Sequence, residues 1–309
     1  MLILENIHLK EFTTFKIGGK ANFFSTPTNL KDIEKIIDFL EKNKLPFFIL
    51  GGGSNILFSD NGFEGLVIKP KFETFNIFEN GEVVVGADRA MPEVVYELCR
   101  LGYQGLEWAG GLPGEIGGAV RGNAGCFGYE IKDIVEEVLA INLLSKELKI
   151  FKNEDCHFSY RSSFFKNNKE WLIVEVKLKL KPNFNSDNLL QIMKEKINYR
   201  KERHPIEFPN AGSIFKNINF NEAPINLQEL AQTSGVVKGN KIPTAFVIEY
   251  LGLKGKTIGG AKISEKHANF IINFNHAKAE DVLNLIALTK ETVKKNFNFD
   301  LEEEIEIVN

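Results

Sequence analysis

The chain has 309 residues, a formal net charge of −3 and 43% apolar residues. That length exceeds one ordinary domain and suits two or three. The near-neutral charge, with no dense basic stripe, argues against nucleic acid as the main partner, and no apolar run approaches the ~20 residues of a membrane span. Cys99, Cys126 and Cys156 are odd in number and outside metal or redox spacing, which fits a reduced cytoplasm. The histidines at 8, 157, 204, 267 and 276 are scattered, so no metal centre is expected. No apolar core precedes a cleavage site near the start, so no signal peptide is expected.

In chain order, the spacing of Leu30, Ile33, Ile36, Ile37 and Leu40 predicts a helix over 29–42. A strand over 45–50 follows and opens into Gly51-Gly52-Gly53-Ser54-Asn55. Leu66-Val67-Ile68 completes a small β-α-β unit. Residues 82–87 predict a strand, and Pro92 opens a helix carrying Val94, Val95, Leu98 and Leu101. The segment 102–128 is rich in glycine. Residues 134–151 predict a hairpin turning at Ser145-Lys146-Glu147. Clean alternation over 172–181 predicts a half-buried strand. Residues 182–187 form the linker, and the helix after it turns Leu189, Leu190, Met193 and Ile197 inward. A helix over 278–295 and strands over 269–274 and 301–308 complete the chain. Boundaries fall near 64 and 184, giving segments 1–64, 65–184 and 185–309.

The glycine loop at 51–55 has consecutive bare amides after a strand, a concave site suited to a phosphate or pyrophosphate. It lacks the Lys-Ser/Thr pair of the triphosphate loop. It also lacks the third glycine of the dinucleotide fingerprint, because Ile56 stands there. The second glycine segment, Gly110-Gly-Leu-Pro-Gly-Glu-Ile-Gly-Gly-Ala119, runs on to Asn123 and Gly125. It has little core-forming mass and is costly to order, so a ligand that completes its packing is expected. Two such loops in neighbouring domains would embrace one extended cofactor.

Leu50-Gly-Gly-Gly-Ser-Asn55, Gly111-Leu-Pro-Gly114 and Gly117-Gly-Ala119 resemble the flavin-binding core of the vanillyl-alcohol-oxidase (PCMH) type. Phe12-Thr-Thr-Phe-Lys-Ile-Gly-Gly19, Tyr160-Arg-Ser-Ser163 and Asn210-Ala-Gly-Ser-Ile-Phe-Lys-Asn217 narrow the resemblance. So do Gly252-Leu-Lys-Gly255, Gly259-Gly-Ala261, His267-Ala-Asn-Phe270 and Leu301-Glu-Glu-Glu-Ile305. The ordered set spans the chain and resembles the UDP-N-acetylenolpyruvoylglucosamine reductase family, in its form with the shorter third domain. The resemblance implies an α+β fold: a two-part FAD-binding region (1–64 and 65–184) plus a C-terminal α+β substrate-binding domain (185–309). It implies non-covalent FAD, NADPH as reductant and a UDP-sugar substrate, in a cytoplasmic monomer with no nucleic-acid or membrane partner.

By the same resemblance, Arg161, Ser213 and Glu304 are the catalytic residues. Arg161 would hold a carboxylate and its enolate, Ser213 would donate a proton, and Glu304 is the carboxylate before the branched residue Ile305. Glu306 stands where the family carries Arg. A second carboxylate facing Glu304 would raise its pKa. Cofactor contacts fall on Gly51, Gly52, Gly53, Ser54, Asn55, Pro113, Gly114, Gly117, Gly118, Ala119, Asn123 and Gly125. Substrate contacts fall on Tyr160, Lys216, Asn217, Arg203 and His267. Two alternatives keep a nucleotide site: a flavin oxidase of hydroxy acids or sugar lactones, and a non-catalytic flavin- or nucleotide-binding protein.

Overall fold

A computed structural model describes residues 2–309. Helices and sheets are mixed along the chain, as an α+β fold requires. Packing groups the residues into two compact units. One comprises residues 2–7, Ala21–Gly52 and Phe63–Arg200; the other comprises His8–Lys20, Gly53–Gly62 and Lys201–Asn309. These units cut the chain differently from three consecutive segments. Phe15, Ile17 and Leu57 are buried with Ile214, Phe215 and Ile305 in one core. The helix Ser186–Arg203 buries Leu189 and Met193 in the core of the first unit.

The first unit holds two sheets. Four strands run in the order Ile3–His8, Lys20–Ser25, Phe63–Ile68, Phe47–Ile49, and Phe63–Ile68 is parallel to both Lys20–Ser25 and Phe47–Ile49. The helix Leu30–Asn43 connects Lys20–Ser25 to Phe47–Ile49, the two parallel strands that flank Phe63–Ile68. The Asn29 side chain caps that helix by accepting from the Asp32 amide at 3.0 Å. Its apolar stripe, Ile33, Ile36, Ile37 and Leu40, is buried. The second sheet is antiparallel, in the order Leu148–Lys152, Val135–Asn142, Trp171–Lys179, Glu82–Gly86, Phe75–Ile77. A register shift in its pairing with Val135–Asn142 divides the buried residues of Trp171–Lys179 between two cores, Leu172 and Val174 in one and Ile173, Val176 and Leu178 in the other, while Lys177 reaches Glu82 at 3.4 Å.

The second unit is built on four antiparallel strands, Asn210–Ser213, Phe270–Asn273, Ala261–Ile263 and Thr257–Ile258. The helix Ala279–Phe297 buries Val282, Leu285, Ile286 and Val293 in the core of this unit. Two expectations need correction. The strand expected over 301–308 is regular only at Glu306–Val308, which pairs in parallel with Ile56–Phe58. Before it, Glu303 forms an isolated bridge to Phe215 and the chain bends at 304–305, because residues 302–304 pair with a different neighbour. The glycine segment also contains a helix, Ile116–Arg121, that its composition concealed.

Candidate active site

The strand Phe47–Ile49 leads through buried Leu50 into Gly51 and Gly52. A Cβ on Gly52 would lie 2.8 Å from the Gly114 Cα, so the two glycine segments touch backbone to backbone. Gly117 is equally constrained, its Cβ position falling 2.8 Å from the Ala87 Cβ. Gly51 and Gly118 differ. A Cβ on Gly118 meets nothing within 4 Å, and one on Gly51 meets only the Glu115 carboxylate at 3.5 Å and the Gly118 backbone at 4.0 Å. Internal packing therefore does not demand glycine at either position. Both border a cavity of about 90 Å³ whose lining includes Phe48, Arg121 and Trp171. Side chains there would fill the space that a cofactor group needs, so these residues fit the FAD that the sequence implies.

One ion pair that motif reading missed ties this cradle together. Lys69 Nζ donates to the Gly51 carbonyl at 3.0 Å and to Glu115 Oε1 at 2.7 Å. Burial pushes the Glu115 carboxyl above the usual carboxylate range, and the Lys69 ammonium opposes that shift. Glu115 lies inside the second glycine motif. Lys69 follows the strand Phe63–Ile68 with no distinguishing local pattern.

The other expected cofactor residues have mixed surroundings. Pro113 is exposed and Gly114 half-buried, while Ala119 is in the core. Asn123 is fully buried; its Nδ2 donates to Glu130 at 3.1 Å and to the Ser159 carbonyl at 2.9 Å. The loop then enters the second unit. Gly53 has φ +64° and packs on the Phe12 carbonyl, Ser54 is half-buried, and Asn55 Nδ2 donates to the Glu304 carbonyl at 2.9 Å.

Arg161 lies in a tight turn closed by paired bonds between Ser159 and Ser162. Its φ is +56°, an uncommon conformation for a non-glycine residue. Its Nη2 donates to the Gly125 carbonyl at 3.0 Å, and its guanidinium lies 5.2 Å from the centre of the Tyr160 ring. The turn is anchored from below, where buried Ser163 donates to the Arg121 carbonyl at 2.7 Å. Gly125 and Tyr160 thus both act on the direction of the Arg161 fork.

The second unit brings Ser213 and Glu304 together. Ser213 ends the strand Asn210–Ser213 and pairs with Phe270. The next residue, Ile214, donates to the Asn269 carbonyl and accepts from the Glu304 amide, each at 2.8 Å. Lys216 N then donates to the Glu302 carbonyl at 2.9 Å. Residues 213–216 therefore run between 269–270 and 302–304. Asn269, 2% exposed, replaces a missing strand rung with its side chain. Its Oδ1 accepts from Phe215 N at 3.0 Å and its Nδ2 donates to Phe215 O at 2.8 Å. The motif His267-Ala-Asn-Phe270 pointed at this segment, but to its histidine.

Two of the expected substrate residues of this unit, Lys216 and Asn217, lie at the end of the same segment. Lys216 forms an ion pair with Glu302, and Asn217 Oδ1 accepts from Thr244 N at 3.2 Å. Arg203 is exposed at the end of the helix Ser186–Arg203. The His267 ring packs against Phe270 at 4.7 Å and His204 at 5.4 Å. Its Nδ1 is buried with no hydrogen-bond partner.

Burial holds the His267 pKa below its ordinary 6.5. The unfolded chain therefore binds the proton more readily than the folded one. The stability linked to this group is fully present above pH 6.5 and is lost as pH falls through the folded value. The urea midpoint of His267→Asn is expected to change less between pH 7.5 and pH 5.5 than that of the parent. Equal changes in both proteins would remove His267 as the source of acid sensitivity.

Two family models match the chain: the C-terminal domain of UDP-N-acetylenolpyruvoylglucosamine reductase over residues 204–308, and an FAD binding domain over 21–147. The UDP-N-acetylenolpyruvoylglucosamine reductase of Carboxydothermus hydrogenoformans is 39% identical, over 99% of this chain and 94% of that protein. The enzyme of the same name from Synechocystis is 36% identical, over 99% and 91%. The crystal structure of UDP-N-acetylenolpyruvylglucosamine reductase from Thermus caldophilus matches with a TM-score of 0.79 at 29% identity, covering 100% of both chains. With a glycine cradle that fits FAD and full-length identity well above 30%, the chain belongs to the UDP-N-acetylenolpyruvoylglucosamine reductase family of FAD-dependent oxidoreductases.

Proposed function

We propose that Arg161, Ser213 and Glu304 carry this family's reaction in this chain, the NADPH-dependent reduction of UDP-N-acetylglucosamine enolpyruvate to UDP-N-acetylmuramate, a peptidoglycan precursor. FAD, once reduced by NADPH, supplies the hydride that adds to the β-carbon of the enolpyruvyl ether. Residues of the chain must then hold the negative charge that develops beside the carboxylate and deliver a proton to the α-carbon. Arg161 holds that charge: its guanidinium stays cationic and offers parallel donors to a carboxylate or an enolate.

Ser213 delivers the proton from Oγ. A hydroxyl is a weak acid and serves only when positioned against the developing carbanion beside a charged group. Glu304 is that group. The observation that supports the pairing is one rung, the Glu304 amide on the carbonyl of Ile214, directly after Ser213. Gly51 and Gly118 would border the cofactor. Gly52, Gly53, Ser54, Pro113, Gly114, Gly117, Ala119, Asn123 and Gly125 would shape the walls around it. Tyr160, Lys216, Asn217, Arg203 and His267 would receive the UDP-sugar, with the Arg203 cation suited to its diphosphate. The segments 1–64 and 65–184 would serve the cofactor and 185–309 the substrate.

Among the described residues no helix is long and apolar enough to cross a membrane. A cytoplasmic setting is part of this reading, supported by three cysteines outside any disulfide, and a monomer is the expected assembly. Burial pushes the Cys99 and Cys156 thiols up to about 12, which makes both poor nucleophiles.

The visible spectrum tests the reading. The purified protein is expected to be yellow, to bleach with anaerobic NADPH and to recolour with the enolpyruvyl UDP-sugar. A colourless protein without affinity for FAD overturns it. Oxygen consumption with hydroxy acids in the absence of NADPH would instead favour an oxidase.

A further inference from the structure

The geometry points to Asn55 as a positioning residue for Glu304, a role separate from cofactor contact. This inference rests on the assignment of Glu304 to proton handling. Asn55 grips the tail on both sides of Ile305. Its Nδ2 donates to the Glu304 carbonyl at 2.9 Å, and its own carbonyl accepts from the Glu306 amide at 2.9 Å. The following residue, Ile56, then pairs with Glu306 as the parallel strand begins. The two bonds bracket the bend at 304–305, where the chain leaves the Ser213 strand for the strand Ile56–Phe58.

Both backbone polar groups of Glu304 are thereby fixed. Its amide is held by Ile214 and its carbonyl by Asn55. The Ile214 bond alone sets the distance between the Ser213 and Glu304 backbones. It does not hold the Glu304 carbonyl, which lies at the bend between the Lys216–Glu302 rung and the strand Glu306–Val308 and is fixed by Asn55 Nδ2. Asn55 is solvent-exposed, and an exposed hydrogen bond adds little to global stability, so its loss acts locally. Small displacements of a reacting group are costly, about 10²-fold for ~1 Å.

The test is a double-mutant cycle on Asn55 and Glu304, read by stopped-flow reoxidation of the NADPH-reduced protein with the enolpyruvyl substrate. Asn55→Ala is expected to retain FAD and to bleach with NADPH at a near-parental rate. Its reoxidation should slow on the order of 10- to 100-fold. In the Glu304→Gln background, Asn55→Ala should add little further slowing, because the group it positions is gone. Asn55→Gln, which keeps the amide, should recover part of the rate. Additive effects in the cycle would show that Asn55 does not act through Glu304. Loss of FAD from Asn55→Ala would make Asn55 a cofactor ligand instead. If Glu304→Gln alone reoxidises at the parental rate, the assignment of Glu304 fails and takes this role with it. If Glu304→Gln is slow but Asn55→Ala is not, only the positioning role fails.

Discussion

Ser213→Ala is expected to abolish most turnover while leaving NADPH bleaching of the flavin near the parental rate. The slowed step should be reoxidation by the enolpyruvyl substrate, by about 10²- to 10⁴-fold, the usual contribution of a positioned proton donor. The size of this effect follows from what the substitution spares. Ser213 is the last residue of its strand, and the bonds around it are made by backbone groups of Ile214, Phe215 and Lys216. Removing one oxygen from a half-buried side chain opens no large cavity and breaks none of those rungs. Melting temperature should therefore change little. A solvent deuterium isotope effect on reoxidation should rise as proton delivery becomes limiting. Stopped-flow absorbance at the flavin band separates the two half-reactions. Parental rates in both would remove Ser213 from the role of donor.

Much of the fold was legible because each local signal agreed with its surroundings. The alternation over 172–181 corresponds to the strand Trp171–Lys179, although its apolar residues divide between two cores, and the spacing over 29–42 corresponds to the helix Leu30–Asn43 with its apolar stripe buried. The strand expected over 301–308 is regular only in its second half, for an identifiable reason. Its alternation is real, but residues 302–304 pair with 214–216 while 306–308 pair with 56–58. A switch of partner across such sequence distance leaves no local trace.

The site divides in the same way. Ser213 and Glu304 came from motifs, and the structure places them on adjacent rungs. Asn269 went unnoticed because its function is to complete the backbone of Phe215, 54 residues earlier. Lys69 was invisible for a similar reason: its meaning lies in Glu115 and the Gly51 carbonyl. The glycines were found as a group but not sorted. Whether a glycine is required by packing or by a ligand depends on what its missing Cβ would meet, which only coordinates supply.

That sorting predicts opposite behaviour for two glycines in the same cradle. Gly118→Leu is expected to fold at least as well as the parent and to lose FAD. A Cβ at 118 meets nothing within 4 Å, and the residue lies in the helix Ile116–Arg121. Replacing glycine inside a helix favours the folded state by about 0.5–1 kcal/mol. The leucine side chain would occupy the cavity shared with Gly51, where the cofactor is expected. Gly52→Ala should behave differently. Its methyl would lie 2.8 Å from the Gly114 Cα and 3.1 Å from the Glu115 amide, and backbone cannot swing aside as a side-chain tip can. Overpacking of this kind costs about 1–3 kcal/mol. Melting curves must be compared on apoproteins, because bound FAD would stabilise the parent by mass action. The expected pattern is a stable, colourless Gly118→Leu and a destabilised Gly52→Ala that still binds FAD when folded. Stoichiometric FAD with parental affinity in Gly118→Leu would show that the cofactor does not enter the space between Gly51 and Gly118.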